Sequence, residues 1–259
     1  MSSALATQMG SIARRSVVRT LRQPAMVIPS LTFPLMLLAV NSGGLRSATD
    51  LPGFPTDSYL TFALAVSFIQ GGLFGAMSAG TNIANDVETG FLSRLSLTPL
   101  RQSALLVGQL AGVVALGVLQ AVVFLTVGFA AGAHFETGIA GAGVIVLLVI
   151  AISLAFGGLG AFAALRTGNG EAVQGLFPLM FAALFLSSTA LPRPLIEIDW
   201  FRAVATANPV SYMLEGIRAL MIQGWEGQAL ALAFGLTGAI AVITLTASSM
   251  ALRSRMTRT

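Results

Sequence analysis

Few side chains in this chain could do chemistry, and their spacing points to pairing and docking rather than to bond making. The 259 residues include no cysteine and a single histidine, His134, so disulfides, thiolate metal sites and thiol nucleophiles are excluded. One histidine two positions from Glu136 falls short of a metal-ligand set. Ser78 is followed by Ala79-Gly80 but preceded by Ala76-Met77, so the glycine that opens a nucleophile elbow is missing. Every basic residue is arginine. A phosphate-binding P-loop needs a lysine after its glycine run, so this chain holds no such site. No catalytic residue, metal or cofactor of its own is expected. Two charged clusters remain: Asp86 and Glu88 ahead of Arg94, and Glu215 near Arg218.

Around the first cluster, Asn85 or Asp86 can cap a short helix and Glu88 suits its positive end. Phe91, Leu92 and Leu95 supply an apolar face, and Pro99 after Thr98 ends it. Such a helix is either a docking knob for a soluble partner or a capped segment resting on lipid headgroups. Around the second, Asn208 can cap a helix beginning at Pro209, with Tyr212 inside it. Glu215 and Arg218 stand three apart on one face, close enough to pair. That element either steadies a re-entrant hairpin or touches cargo; steadying is the simpler reading. Trp200, just ahead, suits a membrane interface.

These clusters must be positioned by the apolar blocks that make up most of the chain. The composition is 55% hydrophobic and 9% charged, against about 25% charged in soluble domains. Six blocks approach the ~20 residues that cross a bilayer, near 25–44, 58–82, 103–132, 138–165, 173–192 and 228–252. The reading is an all-α polytopic membrane protein, a single domain over 1–259, with the first span bent at Pro29 and Pro34. If the N-terminus is cytoplasmic, the inner segments hold ten of the 14 arginines and three acids, and the outer segments four arginines and seven acids. Six spans with both termini inside satisfy the positive-inside rule. This distribution explains the net charge of +4 without nucleic acid, and no cleavable signal pattern stands at the start.

Residues 1–23 place Ile12, Val17, Val18 and Leu21 among Arg14, Arg15, Arg19 and Arg22. They predict an amphipathic interfacial helix with arginines toward lipid phosphates, a solvated tail being the alternative. Within the spans, Gln70, Gln109, Gln120, Gln174 and Ser187-Ser188-Thr189 suit hydrogen bonds between helices. The pairs Gly71/Gly75 and Gly108/Gly112 have small-residue packing spacing. No carboxylate lies in a span centre, where an ion-coupled carrier would place one.

The run from Asn85 to Arg101, with acid-x-acid-Thr-Gly, an apolar pair and Thr98-Pro99, resembles the coupling loop (here 84–101) of ABC-2 type exporter membrane subunits. Asn208-Pro209 followed by Tyr212, Glu215 and Arg218 resembles the same family's element before the last span. The resemblance covers the whole topology; it departs at Thr81, Asn82, Ile83 and Ala84, where charged residues are usual. It implies that Asn85, Asp86, Glu88, Thr89, Gly90, Phe91, Leu92, Arg94, Leu95, Thr98 and Pro99 couple to a separate ABC ATPase subunit, present in two copies and carrying ATP and Mg. A second permease, identical or a close paralogue, completes the implied complex in a bacterial cytoplasmic membrane. The second and fifth spans would line the path, offering Phe68, Phe74, Met77, Phe177, Met180, Phe181 and Phe185, or these are ordinary packing. The implied cargo is hydrophobic or amphiphilic, a drug or antibiotic first, a lipid or polysaccharide precursor otherwise. An ion-coupled secondary transporter or channel is the competing function.

Overall fold

The computed structural model describes residues 2–91, 94 and 102–256. The elements among them are helical: α1 (Ser2–Leu21), α2 (Pro24–Gly44), α3 (Tyr59–Glu88), α4 (Gln102–Ala130), α5 (Gly138–Thr167), α6 (Gly170–Phe185), α7 (Asp199–Ala207), α8 (Pro209–Arg218) and α9 (Gly227–Met256), with short 3-10 turns and a π-helical turn at Ala219–Gln223. Five of these, α2, α3, α4, α5 and α9, are long and apolar enough to cross a membrane.

The block expected to span near 173–192 is shorter than that. Helix α6 has 16 residues, roughly 24 Å of rise against about 30 Å of hydrocarbon. Two of the three hydroxyls read as interhelical glue end it instead. Ser187 and Thr189 both turn back to donate to the Leu184 carbonyl, at 2.5 and 2.6 Å, and this local bonding competes with a further helical turn. At the other end, Asn169 accepts from the Glu171 N–H at 2.7 Å as an N-cap.

Helix α3 is the axle of the bundle, with Phe62, Leu64, Phe68, Ile69 and Leu73 fully buried. Small residues let its neighbours close in. A methyl on Gly160 of α5 would strike the Ala76 carbonyl of α3, and Gly72 lies under Ile152 and Phe156. Helix α9 fastens to α5 through Thr244, which donates to the Ala155 carbonyl at 3.0 Å, and Ser248, which donates to the Gly158 carbonyl at 2.7 Å. Gly71 faces Gln120 and Phe124, and Gly75 faces Val113.

Helix α2 runs unbroken through Pro29 and Pro34. A proline at 34 supplies no N–H to the carbonyl four residues back, which is that of Ser30. Gln120 of α4 reaches across to donate to that carbonyl at 3.5 Å. An intramembrane glutamine thus takes up the acceptor that the proline releases.

Helix α1 lies along α4. Ile12 sits over Gly108, Ser16 and Thr20 sit over Gly112, and Ser16 donates to the Gln109 carbonyl at 2.6 Å. Of the arginines expected to face lipid, Arg14 and Arg22 are exposed, whereas Arg19 and in part Arg15 turn to a protein partner described next.

Candidate functional site

The sequence places Asp86 in a loop, as a cap for a following helix. In the structure α3 continues to Glu88, and Asp86 sits in its last turn, 3% exposed. A carboxylate there is doubly disfavoured, by burial and by the negative end of the helix dipole. Three donors from two other helices compensate. Arg19 lies 2.7 Å away and Arg15 3.5 Å away on α1, and the Gln109 amide of α4 donates at 2.8 Å. A single buried acid therefore ties α1, α3 and α4 together. The sequence contains the signal, an acid one turn past an apolar block with arginines at i and i+4 elsewhere, but not the pairing. Beside it, Gln23 donates to Asn82 at 3.2 Å, joining the α1–α2 corner to α3.

Past Asp86 the helix ends by a left-handed turn at Gly90, φ +66°, where glycine has no Cβ to clash. The Thr89 N–H donates to the Asn85 carbonyl at 3.0 Å. Helical backbone resumes at Phe91 and Arg94, and the Arg94 N–H donates to the Gly90 carbonyl at 3.1 Å. Arg15 stacks on the Phe91 ring, 3.9 Å from its centre, so one arginine touches both the buried acid and the segment beyond the break. The Glu88 carboxylate accepts from the Gly170 N–H at 3.4 Å, at the start of α6. Leu92, Leu95, Thr98 and Pro99 lie outside the described residues.

The rise of about 1.5 Å per residue puts the opposite end of α3, at Phe62, roughly 36 Å from Asp86. There Asn208 caps α8 by accepting from the Val210 N–H at 2.9 Å, while its amide donates to the Ala183 and Leu186 carbonyls at 2.6 and 3.1 Å. One side chain thus closes the C-terminal end of α6 and the N-terminal end of α8. The expected Glu215–Arg218 pair does not form. Glu215 is held at two points by Arg193, at 2.6 and 2.5 Å, and Arg193 also lies over the Tyr212 ring, 4.4 Å from its centre. Partial burial works against the Arg193 charge, but Glu215 and Tyr212 outweigh it and hold the guanidinium above its usual value. Arg218 instead turns inward to three backbone carbonyls, those of Phe62, Ser188 and Thr189. A two-point partner for the carboxylate outcompetes a one-turn neighbour.

Of the aromatic residues expected along a path, Phe74, Phe177, Phe181 and Phe185 come together as a continuous stripe, with ring centres 4.9 to 5.7 Å apart. Phe33 of α2, which the sequence did not single out, closes the group against Phe74 and Phe181 at 6.1 and 5.8 Å. Met77 and Met180 are half-buried. Phe68 is elsewhere, 1% exposed and edge-on to Phe124 of α4, so it is core.

Long apolar helices around a buried axle, with the ion pairs described above at its two ends, define a multi-pass membrane protein. The chain belongs to the ABC-2 type transporter family, whose model matches residues 7–222. It is 29% identical over 232 residues to the daunorubicin resistance ABC transporter permease protein DrrB1 of Streptomyces coeruleorubidus, covering 85% of this chain and 77% of that one. It is also 26% identical over 225 residues, 85% of this chain and 75% of the relative, to the putative transport permease ycf38 of Pyropia yezoensis. With them it is an ABC transporter permease.

Proposed function

We propose that this chain is the membrane subunit of an exporter that moves a hydrophobic or amphiphilic molecule, a drug or antibiotic by preference, out of the cytoplasm on ATP hydrolysed by a separate subunit. Two permeases, each crossing the membrane six times with both termini cytoplasmic, pair over two ATPase subunits. Helix α6 completes its crossing with the irregular stretch 186–192, packed against α8 where backbone groups find protein partners. The arginine bias, the permease relatives and the 85–101 segment support this arrangement.

The observation that carries the reading is the threefold tie on Asp86. The segment beyond Gly90 is gripped by the ATPase, and its displacement passes through Arg15 to α1 and through Asp86 to the axle α3. Because α3 packs on most of the bundle, a shift at its inner end is delivered to the helices bearing the aromatic stripe. That stripe, half-buried along Phe33, Phe74, Phe177 and Phe181 and exposed at Phe185, is built on α2, α3 and α6 and suits a planar apolar cargo.

The test is transport by vesicles containing this chain and its ATPase subunit. Vanadate-sensitive hydrolysis stimulated by aromatic amphiphiles is expected, with stimulation lost in Asp86→Asn. Export without the ATPase, or driven by a proton gradient alone, would overturn the proposal in favour of an ion-coupled carrier, as would labelling of an introduced Thr98→Cys from outside the cell.

A further inference from the structure

Arg218 is 5% exposed, and its direct hydrogen-bond partners are neutral. Its guanidinium donates to the carbonyls of Phe62 at 3.1 Å, Ser188 at 2.5 Å and Thr189 at 2.8 Å, and its central carbon lies over the Phe62 ring, 3.5 Å from the centre. The nearest acid on its own helix, Glu215, is committed to Arg193 at two points. Buried charges in proteins are ordinarily paired; here carbonyl dipoles make the direct contacts, and Glu215 acts on the charge without a bond to it. Three of the five guanidinium N–H groups are used in these bonds, which leaves two.

Arg218 borders a cavity of about 500 Å³, inside the roughly 300–1,000 Å³ range of small-molecule sites. Phe62, Pro192, Pro194 and Ile222 give it apolar walls; Arg202, Thr206, Gln223 and the Arg193–Glu215 pair complete the lining, in which three arginines face one acid. The cavity lies at the end of α3 away from Asp86, and neither the aromatic stripe nor the coupling segment contributes to its walls. We infer that it is a binding site for an amphipathic anion, a single carboxylate or phosphate group held at Arg218 with an apolar body lying on the proline and aromatic walls. The buried cation selects the charge, and the apolar walls select the tail. The occupant comes either from the membrane itself, as an anionic lipid, or from a soluble amphiphile.

The test uses the full-length permease in phosphatidylcholine nanodiscs, with dodecyl phosphate as probe and dodecanol and inorganic phosphate as controls. A saturable rise in the thermal unfolding midpoint is expected with dodecyl phosphate, at an apparent affinity at least about tenfold better than with either control, a factor that corresponds to one charge-assisted contact. Thr206→Trp narrows the cavity from its exposed wall and leaves Arg218 and its bonds in place. It should weaken dodecyl phosphate about tenfold or more without moving the unliganded midpoint. Arg218→Gln, where it folds, should erase the preference for phosphate over alcohol. Equal stabilisation by dodecanol, or full affinity in Thr206→Trp, overturns the inference. Native mass spectrometry separates the sources, both of which support it: retention of phosphatidylglycerol over phosphatidylcholine assigns an anionic lipid, and dodecyl phosphate binding without lipid retention assigns a soluble amphiphile. None of these readouts involves ATP, so their failure would leave the exporter reading intact.

Discussion

Arg193 and Glu215, separated by 22 positions, are joined by two hydrogen bonds of 2.6 and 2.5 Å, which fixes the chain leaving α6 to the middle of α8. The pair is part-buried and capped by Tyr212, so it is stronger than an exposed bridge. Hydrogen bonds to charged groups contribute about 1.5–3 kcal/mol. Glu215→Gln is expected to lower stability by about that amount, and the exchanged variant Arg193→Glu/Glu215→Arg should recover part of it, read as denaturant midpoints in micelles.

The same pair has a defined pH dependence. Arg193 is held above its usual value, so its stabilising share is fully present below the unfolded arginine pKa and is lost only as pH rises through the still higher folded value. The midpoint difference between the parent protein and Arg193→Gln should therefore stay constant from about pH 6 to pH 9, well below the arginine range. A difference that shrinks within that interval would mean that another group controls the contact.

At the other end, the partners of Asp86 should rank by burial. Arg19→Ala leaves a buried carboxylate without its 2.7 Å partner and should cost about 3–5 kcal/mol. Arg15 is 46% exposed and 3.5 Å away, and Arg15→Ala should cost about 1 kcal/mol or less while still reducing cargo-stimulated ATP hydrolysis through the lost stack on Phe91.

Two glycines give opposite outcomes for one change. Gly160→Val drives a side chain into the Ala76 carbonyl and should destabilise by about 3 kcal/mol or more. Nothing approaches a methyl at Gly238 in α9, and Gly238→Ala should stabilise by up to about 1 kcal/mol through helix propensity. Urea unfolding of both variants checks the pair.

Phe68 and Phe181 separate core from path. Phe68→Ala empties a fully buried position and should cost about 3–5 kcal/mol. Phe181→Ala, in the half-buried stripe, should leave the melting temperature nearly unchanged and shift which aromatic amphiphiles stimulate ATP hydrolysis.

Much of the fold is legible in residue order because lipid tolerates few solutions. Apolar blocks give the long helices, the Asn208-Pro209 dipeptide gives a helix start, and the glycine pairs mark where α1, α3 and α4 touch. What could not be read is which distant group answers each charge. Asp86 looked like a loop residue because carboxylates usually lie outside apolar blocks; its place inside α3 depends on Arg19 arriving from 67 positions earlier. Glu215 and Arg218 have pairing geometry on their helix, yet each finds a better partner across the fold. The block near 173–192 reads as a full span because Ser187, Ser188 and Thr189 look neutral in a hydropathy average, whereas Ser187 and Thr189 end the helix through bonds back to Leu184.

The bare backbone at Gly108 and Gly112 carries a consequence for how the first helix can move. With Ile12, Ser16 and Thr20 lodged directly against it, α1 is seated like a key in a slot. Sliding lengthwise by a turn, about 5.4 Å, would carry Arg19 off Asp86 and Ser16 off the Gln109 carbonyl, and peeling away would strand Asp86 without either cation. The first helix is therefore braced in both directions, and a push on it is handed to α3 and α4 rather than spent on its own displacement.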